Sequence, residues 1–199
     1  MADVKNIKDD FLNSLNACRQ LYRHCLSPKA LHSEAGVEAA FLQMQTAWEV
    51  FLEEIFLLYI CGEQPLSGNQ VSPYFTVNDI EVARKILYQE RPYCEWSKPE
   101  IIRERFNEIY FVSPNRLDDA IRPIVGTLSE IATIRNYIAH SSLKAKKAFG
   151  KVWLQKVGGK PNITRAADFL LLIDKDNPPD TYFDKYITNL EVTANNIAG

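Results

Sequence analysis

Apolar residues recur at steps of three and four along nearly the whole chain, and this spacing constrains the fold more than any other feature. Such steps place residues on one face of an α-helix. No segment alternates convincingly between apolar and polar residues, which is the pattern of a half-buried strand, although residues 152–163 could contain a short hairpin. The sequence therefore predicts an all-α bundle.

Helix-breaking and helix-starting residues divide this pattern into segments. The first helix is expected to end before Pro28, the second to end at Gly62, and a later one to begin at Pro123. Thr76 and Ser97 each place a hydroxyl three residues before an acid, which predicts two further helix starts. Five of the predicted helices have both of their bounds indicated, and they cover residues 33–61, 123–140, 142–157, 164–173 and 181–197.

Length and composition indicate one globular domain. The chain has 199 residues, of which 46% are hydrophobic, and this suffices for a sizeable core. We expect a single domain over residues 1–199, with the C-terminal helices of 164–197 packed on the core. The longest apolar stretch, residues 55–61, is far below the roughly 20 residues of a membrane helix, and the N-terminus lacks a signal-peptide pattern. Four cysteines without a C-x-x-C pair suggest reduced thiols, so a soluble, cytoplasmic protein without membrane contact is expected.

Charge is balanced over the whole chain but not along it. The net charge of -2 excludes nucleic-acid binding through bulk positive charge. Residues 141–165, however, contain seven basic residues and no acid. Lys144, Lys147 and Lys151 follow helical spacing there and could form one cationic stripe that binds an anion such as an RNA backbone. A solvated helix face explains the same spacing equally well.

The segment from Ile124 to His140 combines an apolar arc with polar residues that a buried helix does not need. Asn136 and His140 are four residues apart and are therefore neighbours on the helix. Arg135 lies at the margin of the apolar arc, where a guanidinium needs a partner, a cleft or a subunit interface. Ordinary explanations remain open: Arg135 could extend past the isoleucines or pair with an acid, His140 could favour the helix dipole, and Asn136 could be solvated.

The string Arg135-Asn136-Tyr137-Ile138-Ala139-His140 resembles the Arg-x4-6-His signature of the HEPN superfamily. Further stretches resemble its RiboL-PSP-HEPN-like branch. They are AWEVFLEEI (47–55), LDDAIRP (117–123), ITRAADFLL (163–171) and TYFDKYITNL (181–190). The resemblance spans most of the chain and implies a HEPN-like helical bundle with additional peripheral helices.

This resemblance also implies an activity, because many HEPN proteins are metal-independent endoribonucleases that use attack by the ribose 2′-OH. Histidine titrates near neutrality and suits proton transfer, so His140 would be the acid or base. Arg135 would bind the phosphate and stabilise its developing charge, with Asn136 in support. Lys144, Lys147 and Lys151 would hold the RNA backbone. Glu53 or Glu54 is a candidate to pair with Arg135 or to serve as an auxiliary polar group, and at least one of the two is expected to be a solvated surface residue instead.

The resemblance implies partners as well. Family members commonly form homodimers in which two motif helices line one cleft, and they act in toxin–antitoxin, abortive-infection or antiphage and stress responses. An antitoxin or another defence-system partner is therefore expected. One modification used for regulation in some HEPN toxins needs a tyrosine two residues after the histidine, and Ser142 stands there instead. That form of regulation is not supported.

Two other functions fit the same residues. The chain could be a non-catalytic HEPN module that binds RNA or another protein, or a structural dimer with Arg135 in the subunit contact. No His/Cys cluster has zinc spacing and no glycine-rich nucleotide loop is present, so neither a metal nor a cofactor is expected. Trp96, Tyr93 and Tyr88 could stack bases, but they are expected to form an aromatic core cluster, and Cys25 is expected to be a buried thiol.

Overall fold

Helices make up most of the described structure. The computed structural model describes residues 3–26, 33–68, 70–89, 91–140, 142–159 and 165–199. Within these ranges the only β-structure is two isolated bridges, Pro73–Phe111 and Ile173–Thr181. The α-helices of the described ranges are α1 (Val4–Cys25), α2 (Ser33–Ile60), α3 (Ile80–Tyr88), α4 (Pro99–Glu104), α5 (Arg116–Ile121), α6 (Val125–His140), α7 (Leu143–Lys156), α8 (Ala166–Leu170) and α9 (Tyr182–Ala198). The all-α prediction is confirmed.

Helix α2 is the centre of the core. In its second half every residue from Ile55 to Ile60 is buried, so this part is enclosed on all sides. Helix α1 lies along it and, like α9, buries one apolar face, while α6 and α8 also contact it. The face that α6 turns towards α2 and α7 is therefore fixed by the core, and its opposite face is left for other contacts.

The helix boundaries follow local chemistry. Gly62 ends α2 with φ of 94°, a left-handed conformation that glycine adopts without strain. Helix α3 begins later than Thr76 predicts, because the carboxylate of Asp79 caps it by accepting from two backbone N–H groups. Ser97 does not cap α4, since its hydroxyl donates to Glu95, and Pro99 in the first turn starts the helix instead.

The chain approaches α6 through short irregular helices. A π-helical turn (Arg105–Ile109) follows α4, and a 3₁₀ turn (Arg122–Ile124) joins α5 to α6. Pro123, the predicted start of the motif helix, lies in this turn, and α6 begins two residues later at Val125. Ser142 caps α7 by accepting from the N–H of Ala145 at 3.2 Å. Residues 142–157 therefore begin a new helix, and the described part of the suggested hairpin segment is helical as far as Lys156.

The C-terminal helices contact the core. Helix α8 is shorter than the predicted 164–173 segment, and residue 164 lies outside the described residues. Thr181 and Asp184 form a capping box at the start of α9. Helix α9 packs against α1, α2, α5 and α8, and its Glu191 accepts two hydrogen bonds from Arg19, both of 3.0 Å. No helix within the described residues has the length and apolar character of a membrane span.

Candidate functional site

Helix α6 buries one face and exposes the other. The predicted apolar arc is confirmed, since Leu128, Ile131 and Ile134 are buried and Ile138 is half-buried. Tyr137 is also buried, and its ring stacks on Phe149 of α7 with the centroids 4.6 Å apart. This contact fixes α6 against α7 and so determines which way the remaining residues of the motif point.

Arg135 lies at the edge of that buried face. It is half-buried, and its Nη1 donates to Oδ1 of the neighbouring Asn136 at 3.2 Å. Among the described residues, no carboxylate lies within ion-pair distance of Arg135. The guanidinium is therefore held by the motif itself and not by an acid from another helix.

The hydrogen bond joins the guanidinium of Arg135 to a residue that lies near His140 on the helix. At about 100° per residue, Arg135 and His140 leave the helix about 140° apart, whereas Asn136 and His140 are only about 40° apart. Asn136 and His140 are both exposed, and His140 is the last residue of α6. Because Asn136 accepts from Arg135, the guanidinium is joined to an exposed side chain that lies about one helical turn before His140.

Two polar residues of α6 that precede the motif, Ser129 and Thr133, have a different role. Ser129 and Thr133 are half-buried, and each hydroxyl donates to the carbonyl four residues earlier, at 2.9 and 2.8 Å. These bonds satisfy the hydroxyls within the helix. Thr133 lies two turns before His140 on the same helix face and also lines a groove towards α7.

Glu130 is a charged residue of α6 that sequence reasoning missed. Its carboxylate accepts from Lys156 at 2.7 Å and from the hydroxyl of Tyr186 at 3.0 Å. Burial raises the pKa of Tyr186 well above its ordinary value, and the Glu130 charge raises it further. The three residues lie on three helices, so no local pattern could have indicated that they meet. They tie the motif helix to α7 and α9.

The predicted lysines line the groove between α6 and α7. Lys144, Lys147 and Lys151 are all exposed, and none forms an ion pair within the described residues. The groove has a volume of about 680 Å³. Its described lining residues are Thr133, Leu143, Lys144, Lys147, Ala148, Lys151, Val152 and Gln155. The cationic stripe is thus present, but Arg135, Asn136 and His140 are not among the described residues that line its groove.

The two suggested auxiliary acids lie elsewhere. Glu53 accepts from the hydroxyl of Tyr88 at 3.0 Å and from the indole N–H of Trp96 at 3.2 Å, and Arg84 is 3.5 Å away. Those groups hold Glu53, so the suggested pairing with Arg135 is wrong for this residue. Glu54 is exposed; its pKa is raised, mainly by partial burial and then by the charge of Asp10.

The aromatic and cysteine predictions have mixed outcomes. Trp96 is buried against Phe56, with ring centroids 5.3 Å apart, as expected of a core residue. Tyr93 is largely exposed and does not belong to the core. The buried thiol predicted at Cys25 is confirmed, and burial raises the pKa of the Cys18 thiol to about 11.

Within the described residues, no group of three metal-ligating side chains comes together. Comparisons of the chain with protein-family models, curated proteins and solved structures return no match. The functional argument therefore depends on the motif, its geometry and the charged groove beside it.

Proposed function

We propose that the protein is a HEPN-type endoribonuclease that cleaves RNA without a metal ion, by attack of a ribose 2′-OH on the adjacent phosphate. The observation that supports the proposal is the hydrogen bond from Arg135 to Asn136, since Asn136 lies about one helical turn before the exposed His140. A phosphate bound there would meet a cation and a titratable imidazole together. The HEPN-like motif and the all-α fold support the same assignment.

Each residue of the motif has a distinct role in this reaction. His140 transfers a proton to or from the reacting oxygens, because imidazole is partly protonated near neutrality. Arg135 binds the scissile phosphate and stabilises the negative charge that develops on it. Asn136 is a positioning residue, because it acts by holding the guanidinium. Its exposed amide nitrogen is also free to donate to a phosphate oxygen.

The lysine groove supplies binding energy outside the reacting bond. Lys144, Lys147 and Lys151 lie along about two turns of α7, a length of about 10 Å. Successive phosphates of a single strand are spaced by less than this, so the stripe spans more than one phosphate. Such contacts hold the backbone without reading its sequence.

A second copy of the chain completes the proposal. Cleavage needs both a proton acceptor and a proton donor, and each motif offers one histidine. In a homodimer that joins two α6 helices, two His140 side chains would share one cleft. The biological setting we propose is a toxin–antitoxin, abortive-infection or antiphage and stress response, with an antitoxin or another defence-system partner.

The test is RNA cleavage by the purified protein in excess EDTA, with dimerisation measured on the same sample by light scattering. We expect cleavage of single-stranded or structured RNA to leave 2′,3′-cyclic phosphate ends, and DNA of the same sequence to stay intact because it lacks the 2′-OH. His140→Ala should remove the activity. His24→Ala is the matched control, since His24 is exposed on α1, and it should cut like the wild type.

Three outcomes would contradict the proposal. Cleavage that persists in His140→Ala would place the chemistry elsewhere, and cleavage of the DNA would exclude attack by the 2′-OH. A dimeric protein that binds RNA but does not cut it, across a broad panel, would identify a non-catalytic RNA-binding module instead.

A further inference from the structure

The groove between α6 and α7 carries more apolar surface than a phosphate-binding stripe needs. Leu143 is 79% exposed, the highest value among the large hydrophobic residues that the structure describes. It stands at one end of the groove, the half-buried Ala148 follows along α7, and the buried Val152 forms part of the floor. An aliphatic surface of this kind, bordered by polar groups, is typical of a protein-binding site.

The lysines border this apolar surface with positive charge only. Lys144, Lys147 and Lys151 line the groove together with Leu143, and no acid is among its described lining residues. The lining residues from Leu143 to Gln155 extend over about 18 Å of helix. An occupant about three helical turns long would therefore fit, with apolar side chains in the groove and acids beside the lysines.

RNA is less well matched to the apolar part of the groove. Base recognition on single strands relies on aromatic or guanidinium planes, and the described lining residues include neither. Phosphates would bind the lysines but would leave Leu143 uncovered. An acidic amphipathic helix satisfies both parts of the surface.

We infer that the groove between α6 and α7 docks an acidic amphipathic helix of a partner protein, which covers Leu143 and pairs with Lys144, Lys147 and Lys151. The docked helix and an RNA backbone compete for the same lysines. Docking therefore blocks cleavage, a consequence that rests on the proposed function. This identifies the chemistry of a regulatory partner and the surface that it occupies.

The probes for the test are three synthetic peptides of about 14 residues, or four helical turns. The first peptide carries leucines on one helical face with glutamates flanking them. The second has the same composition in an order that scatters the leucines around the helix, and the third replaces the glutamates by lysines. Binding to the full-length protein is measured by fluorescence anisotropy, and single-stranded RNA is titrated in parallel.

We expect the first peptide to bind at least about tenfold more tightly than the other two, and to displace RNA. Leu143→Ser should weaken that peptide about tenfold and leave RNA binding within about twofold, because it removes apolar contact but no charge. Lys147→Glu should weaken both ligands. Lys146→Glu, an exposed residue of α7 outside the groove, is the matched control and should weaken the peptide much less.

Equal binding of the first and second peptides would overturn the inference, and so would a peptide affinity that does not depend on Leu143. A loss of RNA binding in Leu143→Ser as large as the loss of peptide binding would assign the whole groove to RNA. These measurements distinguish failure of the proposed function from failure of the docking inference. A protein that binds the first peptide through Leu143 but cuts no RNA retains the docking site, whereas one that cuts RNA but binds no peptide selectively retains only the nuclease.

Discussion

Charged residues have opposite surroundings at two places in this molecule. At the contact between α4 and α5, the carboxylate of Asp118 is 1% exposed and receives Arg103 at 2.6 Å and Arg122 at 2.7 Å. At the α6–α7 face, His140 and the lysines of the groove are exposed and form no ion pair within the described residues. The charges of the first group pair with one another within the fold. The charges of the second group face solvent, where a ligand could reach them.

This difference separates stability from function. A buried ion pair becomes costly when one partner is removed, because the other charge is left without compensation. An exposed, unpaired cation costs folding little when it is replaced, and any large effect of its replacement must come from a ligand. Substitutions in the two regions should therefore change different measurements.

The largest effect is expected at His140. His140→Ala should lower the RNA cleavage rate by about 10²–10⁴-fold, the contribution of a general acid or base. Its thermal midpoint should stay within a few degrees of the wild type, because the side chain is exposed. Cleavage kinetics and a thermal melt on the same preparation check this. A large fall in the melting temperature would assign His140 to folding.

Asp118→Asn should give the largest loss of stability. It removes the charge that holds Arg103 and Arg122, and we expect the free energy of unfolding to fall by about 3 kcal/mol, the lower end for breaking a buried pair because both arginines keep contact with water. Denaturant unfolding measures this. Cleavage per folded molecule should not change, and a selective loss of activity would contradict the separation of the two regions.

The Asp118 contribution should also depend on pH. Hydrogen bonds from Arg103, and then from Arg122, lower the pKa of Asp118 in the folded protein. Its stabilisation is therefore fully present above the pKa of the unfolded carboxyl, and it is lost as the pH falls through the lowered value. The stability difference between the wild type and Asp118→Asn should shrink below about pH 4. A difference that grows on acidification would have the wrong sign.

Lys147→Glu should have a smaller effect, confined to ligand binding and seen here in the affinity for RNA. Removing one phosphate contact and adding repulsion should weaken RNA about tenfold at moderate salt and reduce the salt dependence of binding by about one ion. Titrations at several salt concentrations measure both quantities. A tenfold loss that is independent of salt would show that the lysine does not contact phosphate.

The smallest effect is expected at the contact between α6, α7 and α9. Tyr186→Phe removes the hydroxyl that donates to Glu130, but Lys156 still pairs with that carboxylate. We expect a loss of about 1 kcal/mol in the free energy of unfolding, the usual net value of a hydrogen bond. A loss above about 3 kcal/mol would show that Glu130 depends on Tyr186 more than on Lys156.

Sequence patterns predicted the parts of this structure that depend on neighbouring residues. The helical period, the stop at Gly62 and the motif helix ending at His140 all follow from local rules. The cap at Asp79 was missed because Thr76 offers a competing hydroxyl three residues earlier. The proximity of Asn136 and His140 on the exposed face of α6 also follows from helix geometry.

The missed features depend on distant residues. Glu130 contacts Lys156 and Tyr186 only after three helices pack. Glu53 accepts a hydrogen bond from Trp96, which lies 43 residues further along the chain. The direction of the Arg135 side chain is not set by periodicity either. It depends on which acceptor is within reach of the guanidinium, and in the folded chain Arg135 donates to Asn136.

The most direct test of the central claim is a double-mutant cycle on RNA cleavage with Arg135→Ala, His140→Ala and the combined variant. If the two residues act as one unit on the same phosphate, each single variant should lose about 10²-fold or more. The combined variant should then be no slower than the slower single variant. Losses that multiply would show that the residues act independently, and an Arg135→Ala variant that cuts at the wild-type rate would contradict the account.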